Sequence, residues 1–273
     1  MSCNKSRQPV QWAGDAVLYE VNIRQYTKDG TFRAFMPHLD RLAQMGIDIL
    51  WFMPVHPISK KKRKGKLGSY YAVRDYLKIN PEFGTAADFR QLIKKAHSLG
   101  MYVLMDWVPN HCGWDNKLLR DHPEWFTRNK QNKIIHPPDT DWTDVADFNY
   151  SNRELWAYMQ KAMAFWVKEY DIDGYRVDVA GSVPENFWEQ TIKALRKIKP
   201  LFMLAEDGSP RLLKYGFDMY YGWEQHHLMN SIAAGKKNAA DMAAYFKKIQ
   251  RLVPRSKFIM HFTSNHDENS WHG

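Results

Sequence analysis

The sequence predicts an α/β fold in which helices cover a parallel sheet. Short strand-like segments and longer helix-like segments alternate along the chain, which is the order expected when helices cross over between parallel strands. The chain has 273 residues, of which 44% are hydrophobic, and this size suits one large α/β barrel or two small domains. No internal repeat or linker divides the sequence, so one domain spanning residues 1–273 is the simplest interpretation.

The predicted elements follow from the spacing of apolar residues. Seven segments have the apolar or alternating pattern of strands: residues 17–26, 47–54, 101–107, 173–179, 201–205, 217–221 and 258–262. Helical spacing predicts helices over residues 31–45, 86–99, 152–170, 184–198 and 239–252. Residues 112–150 lose this periodicity and are rich in Trp, His, Pro and Asp. A segment of that length without regular structure predicts a functional excursion after the third strand.

The net charge of +9 comes largely from one basic run over residues 60–66. A basic run can indicate a polyanion partner, but no aromatic-rich nucleic-acid motif accompanies this one. We therefore interpret it as a solvated loop and predict no nucleic-acid partner. No stretch approaches the roughly 20 apolar residues of a membrane-spanning helix.

The location of the protein stays open on sequence grounds. The N-terminus has no apolar signal core, which by itself indicates a cytoplasmic protein. However, Ser2-Cys3-Asn4 resembles the remnant of a lipoprotein cleavage site, so a secreted protein or a lipoprotein is the alternative. The two cysteines, Cys3 and Cys112, are too few for a disulfide framework.

The predicted strand at residues 173–179 carries the first candidate site residues. Val177 and Val179 alternate with Arg176 and Asp178, so the last two side chains project from the same face of the strand. The donor fork of an arginine matches a carboxylate, holds it ionised and orients it. Such an aspartate suits a nucleophile that attacks a sugar carbon, and a purely structural Arg–Asp pair is the alternative interpretation.

Further polar residues follow other predicted strands. Glu206 follows the fifth strand, Asp267 the seventh, and Asn110 and His111 the third. In a parallel α/β barrel all of these strand ends open on one rim, where active sites are built. Three converging carboxylates repel one another, so the least solvated should keep its proton while the others stay charged. An acid paired with a nucleophile is what glycoside hydrolysis with retention requires.

Four ordered segments resemble the signature regions of the α-amylase family of glycoside hydrolases. They are residues 106–111 (DWVPNH), 173–178 (DGYRVD), 204–206 (LAE) and 262–267 (FTSNHD). Residues 71–76 and 79–85 resemble the segment that this family carries before its second helix. The resemblance runs from about residue 17 to the last residue and implies a TIM-type (β/α)8 barrel. It also implies that residues 112–150 are a short version of the family's domain B.

The resemblance also implies roles for individual residues. Asp178 matches the nucleophile, Glu206 the general acid/base and Asp267 the third carboxylate, which steadies the distorted sugar. Arg176 matches the arginine beside the nucleophile. Two histidines, His111 and His266, match residues that bind sugar hydroxyls, and Tyr71 matches the tyrosine that stacks on the sugar ring. Histidine and arginine donors suit hydroxyl groups, and a flat aromatic ring suits the C–H face of a sugar.

The sequence departs from the family pattern in two places. Many members follow the nucleophile with a Lys-His pair that contacts the far side of the cleaved bond and helps to form a calcium site, whereas this chain has Ala180-Gly181-Ser182-Val183. No cofactor is needed for the chemistry, and a Ca²⁺ ion with oxygen ligands from Asn110 and Asp147 is possible. The chain also ends at Gly273 without an eighth strand and helix, so we expect an incomplete barrel.

Three functions are compatible with these residues. The first is retaining hydrolysis of α-glucosidic bonds in starch-like or maltooligosaccharide substrates, with an α-glucan as the partner. The second is a transglycosylase or isomerase, in which a sugar replaces water at the same site. The third is an inactive, truncated sugar-binding fragment. Product analysis on maltooligosaccharides separates the first two.

Overall fold

A computed structural model describes residues 10–268, and within them seven parallel strands form one sheet. The sheet order is β1-β2-β3-β6-β7-β8-β9, and every neighbouring pair is parallel. The strands are β1 (Leu18–Val21), β2 (Ile49–Phe52), β3 (Tyr102–Trp107), β6 (Gly174–Val177), β7 (Phe202–Ala205), β8 (Met219–Tyr221) and β9 (Phe258–Met260). The predicted parallel α/β fold is confirmed.

Helices and short turns connect the strands. The α-helices are α1 (Ile23–Tyr26), α2 (Phe32–Phe35), α3 (Leu39–Gln44), α4 (Ala86–Ser98), α5 (Leu118–Asp121), α6 (Arg153–Tyr170), α7 (Glu185–Leu195), α8 (Trp223–Ala233) and α9 (Ala239–Leu252). The start of α4 shows why one such helix begins where it does. The Thr85 hydroxyl accepts a hydrogen bond from the Asp88 N–H, and the Asp88 carboxylate accepts one from the Thr85 N–H. This reciprocal pair satisfies two backbone donors that the helix itself leaves unpaired.

Alternate residues of the central strands pack on opposite faces of the sheet. One buried cluster contains Ile49, Trp51, Leu104, Leu204 and Tyr221, which line the inner face of a curled sheet. The intervening residues Leu50, Phe52, Val103, Met105 and Met203 belong to a second cluster that includes the helices. This period of two is the packing of a small barrel whose interior is filled by side chains. The sheet is therefore a partial TIM-type (β/α)8 barrel, with seven of its strands in residues 10–268.

The two strands at the ends of the sheet order, β1 and β9, approach each other across a groove. The groove has a volume of about 1280 Å³ and is lined by residues of β1, β9 and α9, among others. Phe258 packs against the backbone of Gly14 at one end, and His266 contacts Glu20 at the other. The sheet is thus curled far enough to bring its first and last strands together.

The excursion after β3 contains a small two-stranded antiparallel sheet. Its strands are β4 (His111–Gly113) and β5 (Val145–Asp147). Tyr76 ties this segment to the barrel, because its hydroxyl lies 2.8 Å and 2.7 Å from the carbonyl oxygens of Val108 and His111. The basic loop also contacts the excursion: the Lys62 ammonium lies 3.5 Å from the centre of the Trp114 ring, and Lys64 donates to the Asp141 carbonyl.

Three element predictions were wrong in detail. The strand predicted over 17–26 ends at Val21 and is followed by α1. The helix predicted over 31–45 is broken between α2 and α3 by a 3₁₀ turn, Met36–His38, where Pro37 has no backbone N–H to donate. Helix α8 was missed because only Gln225 and His226 are buried in it, so the sequence carries no apolar stripe there.

Candidate active site

Arg176 is the centre of the candidate site. It lies on β6, directly opposite Asp106 of β3 in the strand register, and its side chain is fully buried. Its Nη1 atom lies 2.9 Å from Asp106 Oδ1 and 3.1 Å from Asp178 Oδ1, and its Nη2 atom lies 2.5 Å from Glu206 Oε1. A single guanidinium therefore faces three carboxylates at the carboxyl ends of β3, β6 and β7.

Asp106 is a site residue for which the sequence analysis predicted no role. Its Oδ2 atom accepts hydrogen bonds from the indole N–H of Trp51 and the hydroxyl of Tyr71, both at 3.1 Å. The Tyr71 contact also brings a predicted sugar-stacking residue into the cluster. The signal available in the sequence was an aspartate at the end of an otherwise apolar strand, because a carboxylate buried there must have polar partners.

The charge balance of this cluster is unfavourable to ionised carboxylates. Burial and the charge of Glu206 raise the pKa of Asp178 well above its ordinary value, although Arg176 opposes them. Burial also raises the pKa of Asp106 to about 6, against the effect of Arg176. Because one cation is shared among three acidic groups, the cluster retains protons more readily than isolated carboxylates do. Arg176 alone therefore does not hold Asp178 ionised, contrary to the expectation from the sequence, because Asp106 and Glu206 share the same cation.

The backbone between the two predicted catalytic carboxylates is strained. Val179 follows Asp178 and has φ 37° and ψ 47°, a left-handed conformation that β-branched residues rarely adopt. In this conformation its N–H donates to Glu206 Oε2 at 2.7 Å. With the Arg176 contact on the other oxygen, Glu206 is thus held by both its oxygens.

The segment after β9 brings Asp267 and His266 to the same rim. The Nε2 atom of His266 lies 3.0 Å from the Tyr71 hydroxyl and 3.5 Å from Asp267 Oδ1, and the Tyr71 and His266 rings stack at 5.4 Å. Burial raises the pKa of Asp267, with a further contribution from the charge of Glu206, while His266 opposes both. Asp267 therefore lies near enough to Glu206 for the charge of Glu206 to affect its pKa.

His111 lies on β4, within the excursion. Its ring is 5.4 Å from that of Trp142, and burial lowers its pKa to about 4, so the ring is neutral at pH 7. A neutral imidazole can still donate one hydrogen bond to a sugar hydroxyl. The sugar-binding role of His111 stays a prediction, as do the roles of the other site residues.

The loop after β6 contains residues 180–183, where the sequence lacks the Lys-His pair of many family members. A Cβ atom at Gly181 would lie 2.4 Å from the Asp207 carboxylate, so the backbone of this loop packs directly on the segment after β7. Arg211 joins the same segments, since it lies 2.6 Å from Glu185 Oε1 and 3.3 Å from the Gly181 carbonyl. No large side chain fits at position 181 without a rearrangement of Asp207.

The possible calcium ligands Asn110 and Asp147 lie in neighbouring strand-end segments. The Phe148 N–H donates to the Asn110 carbonyl at 3.0 Å, so that backbone oxygen already has a partner. Burial raises the pKa of Asp147. Ca²⁺ takes 6–8 oxygen ligands, which include carbonyl and water oxygens as well as carboxylates. Calcium binding by Asn110 and Asp147 stays a prediction.

Comparison with known proteins places the chain in a family. A family model described as the alpha amylase catalytic domain matches residues 13–271. The chain therefore belongs to the α-amylase family, as the four signature segments predicted. No helix among residues 10–268 is long and apolar enough to cross a membrane.

Individual proteins that are similar to this chain in sequence or structure support the same assignment. The chain is 25% identical over 276 residues to alpha-amylase MalA of Haloarcula japonica, covering 95% of this chain and 40% of the relative. It is 28% identical over 221 residues to an alpha-1,4-glucan:maltose-1-phosphate maltosyltransferase of Myxococcus xanthus, covering 72% and 33%. A crystal structure of an alpha-amylase from Lactobacillus plantarum superposes with a TM-score of 0.88 at 34% identity, covering 94% of this chain and 65% of that one. The chain thus spans about two fifths or less of the length of these two curated relatives.

Proposed function

We propose that this chain carries the catalytic centre of a retaining glycoside hydrolase that cleaves α-glucosidic bonds in starch-like or maltooligosaccharide substrates. The observation that carries the proposal is the contact of Arg176 with both Asp178 and Glu206, at 3.1 Å and 2.5 Å. One guanidinium thereby sets two carboxyl groups side by side, and a close pair of carboxyl groups is what the retaining mechanism uses.

In the first step, the Asp178–Glu206 pair acts in the state in which its shared proton lies on Glu206, and an oxygen of ionised Asp178 attacks the anomeric carbon of the sugar. Glu206 gives its proton to the glycosidic oxygen as the bond to the anomeric carbon breaks, and the second sugar leaves as an alcohol. The products are a glycosyl ester on Asp178 and an ionised Glu206. The carboxylate of Asp267 supports the positive charge that develops on the sugar ring.

In the second step, ionised Glu206 takes a proton from water, and the water oxygen attacks the anomeric carbon. The ester bond to Asp178 breaks, which restores both carboxyl groups to their starting states. Two successive inversions at one carbon leave the product with the configuration of the substrate.

Transfer to a sugar hydroxyl in place of water is the second candidate function. The loop at residues 180–183 lacks the Lys-His pair of many family members, and Gly181 presents no side chain to an acceptor. A relative with 28% identity is named a maltosyltransferase. Longer oligosaccharides formed from maltotriose would indicate transfer, and shorter ones alone would indicate hydrolysis.

The test of the proposed acid/base is Glu206→Gln, assayed on two substrates. With maltooligosaccharides we expect kcat/KM to fall by about 10³-fold or more, because the leaving group needs a proton. With an α-glucoside of an acidic phenol, the bond-breaking step needs no proton and should be largely spared. Glu189→Gln, an exposed position on α7, is the matched control. Equal losses on both substrates, or a product of inverted configuration by NMR in the unaltered protein, would contradict the proposal.

A further inference from the structure

Glu20, on β1, holds the segment that follows β9 at the other end of the sheet order. Its Oε1 atom lies 2.6 Å from Nδ1 of His266, and its Oε2 atom accepts the backbone N–H of the same residue at 3.1 Å. The Glu20 and His266 side chains are only 17% and 19% exposed. One carboxylate therefore fixes both the main chain and the ring of a residue that lies beside Asp267.

A chain of hydrogen bonds defines the protonation of His266. Asp106 accepts from Arg176 and Trp51, and in its carboxylate form it can only accept from the Tyr71 hydroxyl as well. The Tyr71 oxygen then accepts from Nε2 of His266 at 3.0 Å. With Nδ1 donating to Glu20 on the other side, the partners of both ring nitrogens suit the two donors of an imidazolium.

The charges around His266 also favour the protonated ring. Burial lowers the pKa of His266, and so does the charge of Arg176, but the hydrogen bond with Glu20 and the charges of Glu20 and Asp267 outweigh them and raise it. Tyr71, whose hydroxyl contacts Nε2, is neutral at pH 7, because burial raises its pKa well above the usual value. Asp106 stands beyond Tyr71 and favours the same cation when it is ionised.

We propose that Glu20 is a positioning residue for the active site: it keeps His266 doubly protonated and fixes the ring at the rim, with Nε2 beside Tyr71 and Asp267. This role rests on the proposed function, since it supposes a sugar at the rim formed by Asp178, Glu206 and Asp267. Glu20 acts through His266 and has no part in the bond-breaking steps. It also ties the loop that carries Asp267 to the first strand.

The first test is the titration of His266 by NMR, which needs no enzymatic activity. In Glu20→Gln the ring loses its charged partner but retains a hydrogen-bonding neighbour of the same shape. We expect the midpoint of the His266 titration to fall by about one pH unit or more. The signal is assigned by its loss in His266→Gln, and Glu189→Gln should leave the midpoint unchanged. An unchanged midpoint in Glu20→Gln overturns the proposal.

The second test is the dependence of kcat/KM on pH with a maltooligosaccharide. We expect Glu20→Gln to lower kcat/KM by up to about 100-fold at pH 7 and to move the alkaline limb of the profile to lower pH. In a His266→Gln background the same change should cost little more, because the two residues act as a unit. A uniform loss with no shift of the alkaline limb would mean a merely structural role and contradict the proposal. If the unaltered chain cleaves no glucan, the proposed function fails, while the NMR titration still decides whether Glu20 sets the charge of His266.

Discussion

The two ends of β6 carry buried aspartates with opposite electrostatic surroundings. Asp173 precedes the strand, and it accepts hydrogen bonds from the Val103 N–H at 2.8 Å, from His97 at 2.7 Å and from Lys199 at 3.1 Å. Burial raises the pKa of Asp173, but these partners outweigh it and lower the pKa below the usual value. Asp178 follows the strand and shares Arg176 with two other carboxylates, which leaves its pKa well above the usual value.

The difference suggests that Asp173 contributes to the stability of the fold, whereas Asp178 contributes to the proposed function. At the amino end, His97, Lys199 and a backbone donor all contact Asp173, although the two side chains also contact the exposed Asp171, so folding gains from the ionisation of Asp173. At the carboxyl end, three carboxylates share one arginine, and ionisation of the whole cluster opposes folding. Active sites commonly retain such unfavourable charges because the chemistry needs them. Substitutions at the two ends should therefore have opposite effects on stability and activity.

The largest effect is expected from Asp178→Asn. An amide cannot form the glycosyl ester, so kcat on maltooligosaccharides should fall by about 10⁴-fold or more. Because the substitution removes one of three repelling carboxylates, the melting temperature should stay level or rise. Steady-state kinetics and thermal unfolding on the same preparation test both statements. Activity within tenfold of the unaltered protein would exclude Asp178 as the nucleophile.

The same substitution at the other end, Asp173→Asn, should have the reverse result. It leaves Lys199 and His97 with only the more exposed Asp171 as an acidic partner and weakens the hydrogen bond to Val103. We expect a loss of about 1–3 kcal/mol in the free energy of unfolding, measured by urea denaturation. Below the melting transition, kcat should change little, since Asp173 lies at the opposite end of the strand from the rim. A stable variant with impaired turnover would remove the contrast between the two ends.

The sequence predicted the residues at the carboxyl end of β6 better than their partners elsewhere in the chain. The residues at the carboxyl ends were found because the signature segments include Arg176, Asp178 and Glu206. The role of Asp106 was missed, since its importance depends on the register that sets β3 beside β6. Glu20 was missed for a stronger reason: its partner is 246 residues away, and no local pattern relates the two. Periodicity likewise found the helices with an apolar stripe but not α8, whose buried residues, Gln225 and His226, are polar.

The smallest effect is expected from His97→Gln, and it tests the electrostatics at the amino end of β6 through the dependence of stability on pH. The hydrogen bond to Asp173 raises the pKa of His97 above its usual 6.5, although burial opposes it. A group with a raised pKa in the folded state stabilises the fold fully below its unfolded pKa, and this contribution is lost as the pH rises through the folded value. His97→Gln should therefore lower the free energy of unfolding by up to about 1 kcal/mol at pH 6 and by less at pH 9.

His261→Gln is the matched control for this pH dependence, because its effect on the free energy of unfolding should change with pH in the opposite direction. Burial lowers the pKa of His261, so protonation of this residue opposes folding as the pH falls below about 6.5. Its replacement should favour the folded state more at pH 5.5 than at pH 9. Urea denaturation of both variants from pH 5.5 to 9 gives two curves of opposite slope relative to the unaltered protein. Parallel curves would show that His97 and Asp173 do not form a charged pair, and the amino end of β6 would then owe its stability to Lys199 and the backbone alone.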